Sequence, residues 1–268
     1  MMADIKMEKL PDGWKRVKLG EIAENKKFAI VDGPFGTQLH SDEYVEDGEI
    51  PLIRVVNLSF EGKFIHENLV FITKKKASAL RRSKVLPGDI IIAKTGATIG
   101  KSGIFSNEYT EGIIASSCLK VSVDKSKASE KYILNFIVSH WGQKAIMDSA
   151  IGTTRTTINI TPFSNICLSI PPLPEQRKIA EILETVDNAI EKTDKIIEKY
   201  KRIKQGLMQD LLTKGIDEKG QIRSEKTHKF KDSPLGKIPK EWEVVELGSV
   251  AELRNEKNFL LLVIFTLV

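Results

Sequence analysis

The segment Pro174–Lys214 constrains the fold more than any other part of the chain. It reads PEQRKIAEILETVDNAIEKTDKIIEKYKRIKQGLMQDLLTK. Ile179, Ile182, Val186, Ala189, Ile196, Tyr200, Ile203 and Leu207 follow one another at intervals of three and four, with a polar step at Thr193. That spacing is a heptad seam running for about four to five heptads, the mark of a long helix that pairs with another. Within the segment no Pro follows Pro174 and no Gly intervenes before Gly206. At ~1.5 Å per residue the helix reaches roughly 60 Å. A small globule cannot bury a stripe of that length, so the seam calls for a partner helix.

An internal repeat flanks the rod. Leu10–Glu24 reads LPDGWKRVKLGEIAE and Ile238–Glu252 reads IPKEWEVVELGSVAE. Pro11, Trp14, Val17, Leu19, Gly20, Ala23 and Glu24 recur as Pro239, Trp242, Val245, Leu247, Gly248, Ala251 and Glu252. The spacing is too long for a solenoid. The expected order is a domain over residues 1–172, a spacer helix over 173–214, a linker over 215–237 and the truncated opening of a second domain over 238–268. The linker expectation rests on charge, on few bulky apolar residues, and on Gly220, Pro234 and Gly236.

The first domain reads as α+β and rich in short strands. Strands are expected at Ile50–Leu58, Asp89–Ala93, Gly103–Phe105, Gly112–Ala115, Leu119–Val123 and Ile166–Ile170. Helices are expected at Lys74–Ser83, capped by Thr73, and at Ser129–Met147, capped by Ser129. Pro171–Pro174 reads as a stiff extended connector.

With 41% hydrophobic and 29% charged residues, the composition fits a globular protein with a core. A formal charge of +5 leans towards a polyanion partner. Cys118 and Cys167 lack metal-type spacing and read as reduced thiols in a cytoplasmic protein. The N-terminus has no signal-peptide core. The apolar tail Asn258–Val268 is too short for the ~20 residues of a membrane span, and reads as a buried strand or as a piece of an unfinished domain.

Chemistry is sparse. Thr95–Ser102 approaches a phosphate-binding loop, but the first glycine falls one place late and a strand is expected after it. It reads as a Gly-rich turn, or as a loop whose N–H groups contact phosphates with Lys94 and Lys101. Thr153–Thr157 sets hydroxyls around Arg155, either a solvated loop or a DNA contact. His40, His66, His140 and His228 are scattered, so no metal site is expected. Pro171–Pro172 lacks the Asn/Asp and aromatic neighbours of a base-methylating loop. No nuclease carboxylate cluster stands out, and Asp47, Glu49 and Asp89 read as turn residues. Lys26–Lys27, Lys74–Lys76 and Arg81–Arg82 are basic runs on solvated or DNA-facing surfaces.

Taken in order, these segments resemble the DNA-specificity subunit of type I restriction–modification systems. The resemblance is carried by Trp14-x-x-Val17-x-Leu19-Gly20, Asp32–Gly36, Ile53-Arg54, Pro87–Ile90, Thr95–Lys101, Gly142-Gln143 and Gly152-Thr153. It continues through Pro171-Pro172-Leu173-x-Glu175-Gln176-x-x-Ile179-Ala180 and Lys204–Met208. It implies two recognition domains joined by two antiparallel helices, each domain reading half of a split site. It also implies a non-catalytic subunit without cofactors, served by methyltransferase subunits and, through them, a restriction subunit. The chain departs from that pattern in holding one full domain and one spacer helix. An antiparallel homodimer through the coil seam would supply the missing helix. Candidate contacts to double-stranded DNA are Lys27, Thr37, Gln38, Arg54, Asn57, Lys94, Thr95, Lys101, Arg155 and Thr156. Candidate methyltransferase contacts are Glu175, Gln176, Lys204, Gln205 and Met208. The competing readings are a stand-alone DNA methyltransferase or nuclease, and a coiled-coil adaptor that binds protein only.

Overall fold

The computed structural model describes residues 10–35, 38–46, 48–152 and 156–251, and the backbone of 253–256 and 259–262. In chain order the first elements are β1 (Lys15–Lys18), α1 (Leu19–Ile22), β2 (Ile30–Asp32), β3 (Ile50–Ile53), β4 (Val70–Ile72), α2 (Lys74–Ala79), β5 (Lys84–Val85), β6 (Ile90–Ala93), β7 (Ser102–Ile104), β8 (Gly112–Ile114) and β9 (Cys118–Val121). Then come α3 (Glu130–Val138), α4 (His140–Asp148), β10 (Ala150–Ile151), β11 (Thr157–Ile158), α5 (Ile160–Ser164), β12 (Cys167–Ile170) and the long α6 (Leu173–Lys214). The last are β13 (Phe230–Ser233), β14 (Gly236–Pro239), α7 (Leu247–Val250), β15 (Leu253–Glu256) and β16 (Phe259–Leu262). The class is α+β with a long helix. The chain forms two compact units that divide after Asp187, so the first turns of α6 belong with the domain before it.

In the first unit, two four-stranded sheets face each other, ordered β2-β9-β6-β7 and β4-β3-β8-β5. The first is antiparallel; the second has β3 and β8 parallel, Leu52 opposite Ile113. β6 is the strand on which both layers depend. Its Ile91 and Ala93 meet Ile53, Val85, Phe105, Ile114 and Cys118 between the sheets. Its Ile90 and Ile92 face the other way, into a core with Leu19, Ile133, Ile137, Ile146 and Phe163 of the helices. β-branched residues that bury both faces suit such a strand. On the outer face of the second sheet, Ile50, Leu52, Ile72 and Ile113 pack against Ala77 and Leu80.

Several local expectations are revised by tertiary bonds. The helix over Lys74–Ser83 has its cap, Thr73 Oγ1 accepting from the Lys76 N–H at 3.2 Å, but narrows to a 3-10 turn at Arg81–Ser83. The helix over Ser129–Met147 is two helices. Ser139 accepts the Gly142 N–H at 3.1 Å and donates to the Phe136 carbonyl at 2.7 Å, so it caps α4 and stops α3. A Cβ on Gly142 would overlap the Phe136 carbonyl, so the break needs glycine there. The strand expected to reach Leu58 ends at Ile53, because Asn57 Oδ1 captures the Arg54 N–H at 3.0 Å and bends Val55–Asn57 into a 3-10 turn. The Pro171–Pro174 connector is shorter than expected: α6 begins at Leu173, with Pro174 in the first turn, where its missing N–H is no loss.

In the second unit, Gly215 (φ +62°) ends the rod, and Trp242 and Arg223 lie against it. The stretch expected as a linker carries structure. Asp217 accepts N–H bonds from Lys219 at 2.9 Å and Gln221 at 2.8 Å, and β13 and β14 form a hairpin with Phe230 opposite Pro239. The missed signal is the four-residue turn Ser233–Gly236, whose Gly236 takes φ +98°. Backbone pairing of β15 with β16 follows α7.

Candidate nucleic-acid interface

Three loops meet around Asp32, at the end of β2. Lys94, just beyond β6, places Nζ 3.0 Å from Asp32 Oδ2, and Arg82, in the turn after α2, places Nη2 2.7 Å from Oδ1. One carboxylate thus holds two cations and leaves one net positive charge. The side chains of Asp32 and Lys94 are 16% and 14% exposed, whereas that of Arg82 is 43% exposed. The outer cation is therefore presented while the inner one is held. Arg82 also lies 5.8 Å from the ring of Phe35, which is 62% exposed. That ring sits on the loop opened by Gly33, where a Cβ would overlap the Ala115 carbonyl.

The β10–β11 hairpin docks on the same corner. Thr95 bridges Thr157, the Gly96 N–H donates to Thr156 O at 3.0 Å, and Lys94 O accepts from the Ile158 N–H at 2.9 Å and from Thr157 Oγ1 at 3.2 Å. The structure thus brings Lys94, Thr95 and Thr156 together beside Arg82 and Phe35. Arg155 and Thr37, the other expected contacts of these loops, lie outside the described residues. Gln38 is exposed, its N–H donating to Phe35 O at 2.8 Å. Asp32 and Arg82 as a unit escaped sequence reasoning: they lie 50 positions apart, and the local signals, the Asp32–Gly36 motif and the basic pair Arg81–Arg82, do not point to one another.

Other expected contacts are dispersed. Lys101 lies at the far end of the Lys94–Lys101 loop, 5.6 Å from the Phe60 ring, and Lys27 lies 5.1 Å from the Phe28 ring. Asn57 is not available to DNA. It is fully buried, and its amide also donates to Ile65 O and Glu67 O at 3.2 Å each. Arg54 is half-buried and turned inward, with Nη2 on Asn68 O at 2.7 Å. The Thr95–Ser102 segment is a 3-10 turn running into β7, with no helix after it, as the Gly-rich-turn reading expected.

The rod leaves this domain through a buried joint. Gln176 is 1% exposed. Its Oε1 accepts the Ser129 N–H at 2.9 Å, and its Nε2 donates to Pro171 O at 2.9 Å and to Lys127 O at 3.4 Å. Expected on a methyltransferase surface, Gln176 is instead spent inside the chain, because two backbone groups at this corner have no nearer partner. Around it, Trp14 Nε1 donates to Glu175 Oε1 at 3.3 Å, Tyr132 Oη donates to Ser169 O at 3.0 Å, and Lys131 pairs with Glu184 at 2.7 Å. Burial, and then the charge of Glu175, push the Tyr132 hydroxyl pKa up. Beyond the joint the seam is open to solvent: Ile182, Val186, Ile196, Tyr200, Ile203 and Leu207 are 44–66% exposed. Ala189 is exposed and Ile179 half-buried. Glu175, Lys204, Gln205 and Met208 are exposed as well.

Among the described residues no three His, Cys, Asp or Glu side chains converge as metal ligands, and no helix is long and apolar enough to cross a membrane.

Comparison with known proteins gives a consistent picture. Residues 11–201 match the family described as Type I restriction modification DNA specificity domain. The MjaVIII specificity subunit of a type I restriction enzyme from Methanocaldococcus jannaschii is 29% identical over 258 residues, covering 94% of this chain and 52% of that protein. The EcoKI specificity subunit from Escherichia coli is 26% identical over 220 residues, covering 79% and 45%. The chain therefore spans about half the length of these relatives. The HsdS subunit crystal structure from Thermoanaerobacter tengcongensis aligns with a TM-score of 0.52 at 17% identity, over 92% of this chain and 56% of that one. A chain from a structure describing assembly and conformational transition of the type I R-M system aligns with a TM-score of 0.57 at 18% identity, over 78% and 48%.

Proposed function

This chain belongs to the type I restriction modification DNA specificity family, and from that premise we propose that it reads one half of a split DNA site and docks methyltransferase subunits along its long helix. Residues 1–172 form the recognition domain and residues 173–214 the spacer. Catalysis falls to partner methyltransferase and restriction subunits. Two copies pair their rods antiparallel, which sets two identical recognition domains at opposite ends and makes the site palindromic. The observation that carries this reading is the family match itself, which runs unbroken through both the domain and most of the rod. The open seam supports the pairing, since a helix surface with this many exposed Ile, Leu and Val side chains is stabilised by burial against a like surface.

On the DNA side, the corner of Arg82, Lys94, Thr95 and Thr156 supplies phosphate contacts and sets register, while Arg155, next to Thr156 in the sequence, reads a base edge. Gln38, Lys27 and Lys101 flank it. Mapping methylated sites in cells that co-express the cognate methyltransferase subunit tests the whole reading. A palindromic split target is the expected result. An asymmetric target, or a monomer in light scattering at micromolar concentration, would refute the symmetric dimer. Modification or cleavage of plasmid by the purified chain alone would refute the non-catalytic role.

A further inference from the structure

The two copies of the repeated motif stand in opposite environments. In the first, β1 pairs along β12, with Lys15 opposite Ile170, Val17 opposite Leu168 and Lys18 opposite Cys167. Leu19 and Ile22 then enter the core at 0% and 2% exposure, and the Leu19 N–H donates to Ile166 O at 3.0 Å. Gly20 passes so close to α5 that a Cβ there would lie 3.2 Å from Ser164 Cβ. β12 and α5 thus form a slot shaped for a strand followed by Leu-Gly-x-apolar.

The second copy keeps the valine, Leu-Gly and terminal apolar positions of that ligand, and no slot holds it among the described residues. Glu243–Glu246 has no regular secondary structure and pairs with no strand among the described residues. Val245, Leu247 and Val250 are 56%, 64% and 37% exposed. Gly248 keeps the glycine of Gly20, yet nothing lies within 4 Å of where its Cβ would be. Each residue that the slot selects is present, and none is used.

We propose that Glu243–Val250 is a second ligand for the β12–α5 slot, and that its occupant is the slot of another copy of this chain. This inference rests on the antiparallel rod pairing proposed above. β12 directly precedes the start of α6, and the second copy of the motif follows its end. Antiparallel pairing therefore brings the end of one copy's rod beside the slot of the other, and tethering through residues 215–242 raises the local concentration of the motif there. The exchange replaces like with like: Val245 for Val17, Leu247 for Leu19, Gly248 for Gly20, and Val250 for Ile22, one methylene smaller. Like-for-like exchange of an element between protomers is the usual route to swapped dimers.

The native Cys167 supplies the test. Opposed residues of antiparallel strands lie about 4.5–5.5 Å apart at Cα, within disulfide range. A full-length donor carrying Glu246→Cys and Cys167→Ser is mixed with a full-length acceptor that keeps Cys167, oxidised mildly, and resolved on a non-reducing gel. A Lys18→Cys chain, which should close internally onto its own Cys167, calibrates the oxidation. The expected result is a covalent dimer linking position 246 to Cys167 of the other copy. It should increase several-fold when the acceptor carries Gly20→Val, which crowds its own β1 out of the slot. It should vanish when the donor carries Gly248→Val, which meets no neighbour in the free chain. If Gly20→Val does not fold, the native acceptor with and without Gly248→Val in the donor decides. An internally closed calibrator with no 246–167 dimer overturns strand exchange. If sedimentation then finds a dimer, rod pairing stands alone; if it finds a monomer, both readings fall.

Discussion

Gln176→Leu removes the bolt between the first domain and the rod. In the native chain the side chain is 1% exposed and satisfies two backbone groups at 2.9 Å, the part-buried Ser129 N–H and the buried Pro171 carbonyl. The third bond, to Lys127 O at 3.4 Å, is long and adds little. Leucine leaves both groups without that partner, at ~1–3 kcal/mol each. The apolar surface it adds in the same space offsets about 1–2 kcal/mol of that. The net loss is expected in the middle of the resulting ~0–5 kcal/mol range, at ~2–4 kcal/mol, read as a lower urea midpoint at pH 7 with an unchanged slope. Hydrogen exchange supplies the local readout: the Ser129 amide, at the head of α3, should lose protection before the strands do. Gln176→Glu sharpens the argument. Its carboxylate can accept from Ser129 but cannot donate to Pro171 O. Burial raises the folded pKa of such a carboxyl above its unfolded ~4.3. The protonated form is then favoured in the folded chain, so the deficit of this variant should be largest at neutral pH and shrink as pH falls through the folded pKa. A Gln176→Leu loss below ~1 kcal/mol, or unchanged Ser129 protection, would refute the joint as a stabilising element.

Three further outcomes follow from other parts of the chain. Lys120 and Asp89 form a 2.7 Å ion pair with side chains 5% and 7% exposed, so Lys120→Met should cost ~3–5 kcal/mol in denaturant unfolding, and adding Asp89→Leu should restore a large part of it. Burial pushes the Cys118 thiol up to about 12, whereas Cys167 is exposed; a disulfide reagent at pH 8 should therefore titrate one thiol in the native chain and both in denaturant. Backbone N–H bonds, that of Gln221 first, hold the Asp217 carboxyl below its usual value. Its contribution to the turn beyond the rod is present above the unfolded pKa near 4 and is lost as pH falls through the folded one. Asp217→Asn should abolish that acid-side change in the Trp242 fluorescence.

Local chemistry was legible and distant pairing was not. The rod could be read because a heptad seam repeats its own signal over many turns. Thr73 as a cap could be read because a cap residue acts within four positions. Asp32 with Arg82 and Lys94 could not, since the partners lie 50 and 62 positions away and each alone resembles an ordinary surface charge. Asn57 and Gln176 went astray for one reason: both are polar residues in a recognisable motif, and polarity suggested a surface when their amides were in fact closing buried backbone groups. Ser139 shows the opposite error, in which a run of good helix formers outweighed a single hydroxyl that caps a new helix. The hairpin at Phe230–Pro239 hid in a charged stretch because its turn, not its apolar content, defines it.

The open seam also bears on the abundance of this chain in a cell. A copy that has found no partner leaves its apolar stripe in water, and much of α6 then rests on helix propensity alone. Segments held that weakly open often, and proteases cut what opens. Burial of the stripe closes that route, because binding stabilises the folded form in proportion to the partner present. Were the rods to pair as proposed, unassembled copies would be marked for removal by the same surface that assembles the rest, and degradation would adjust the supply of this chain to the supply of its partners.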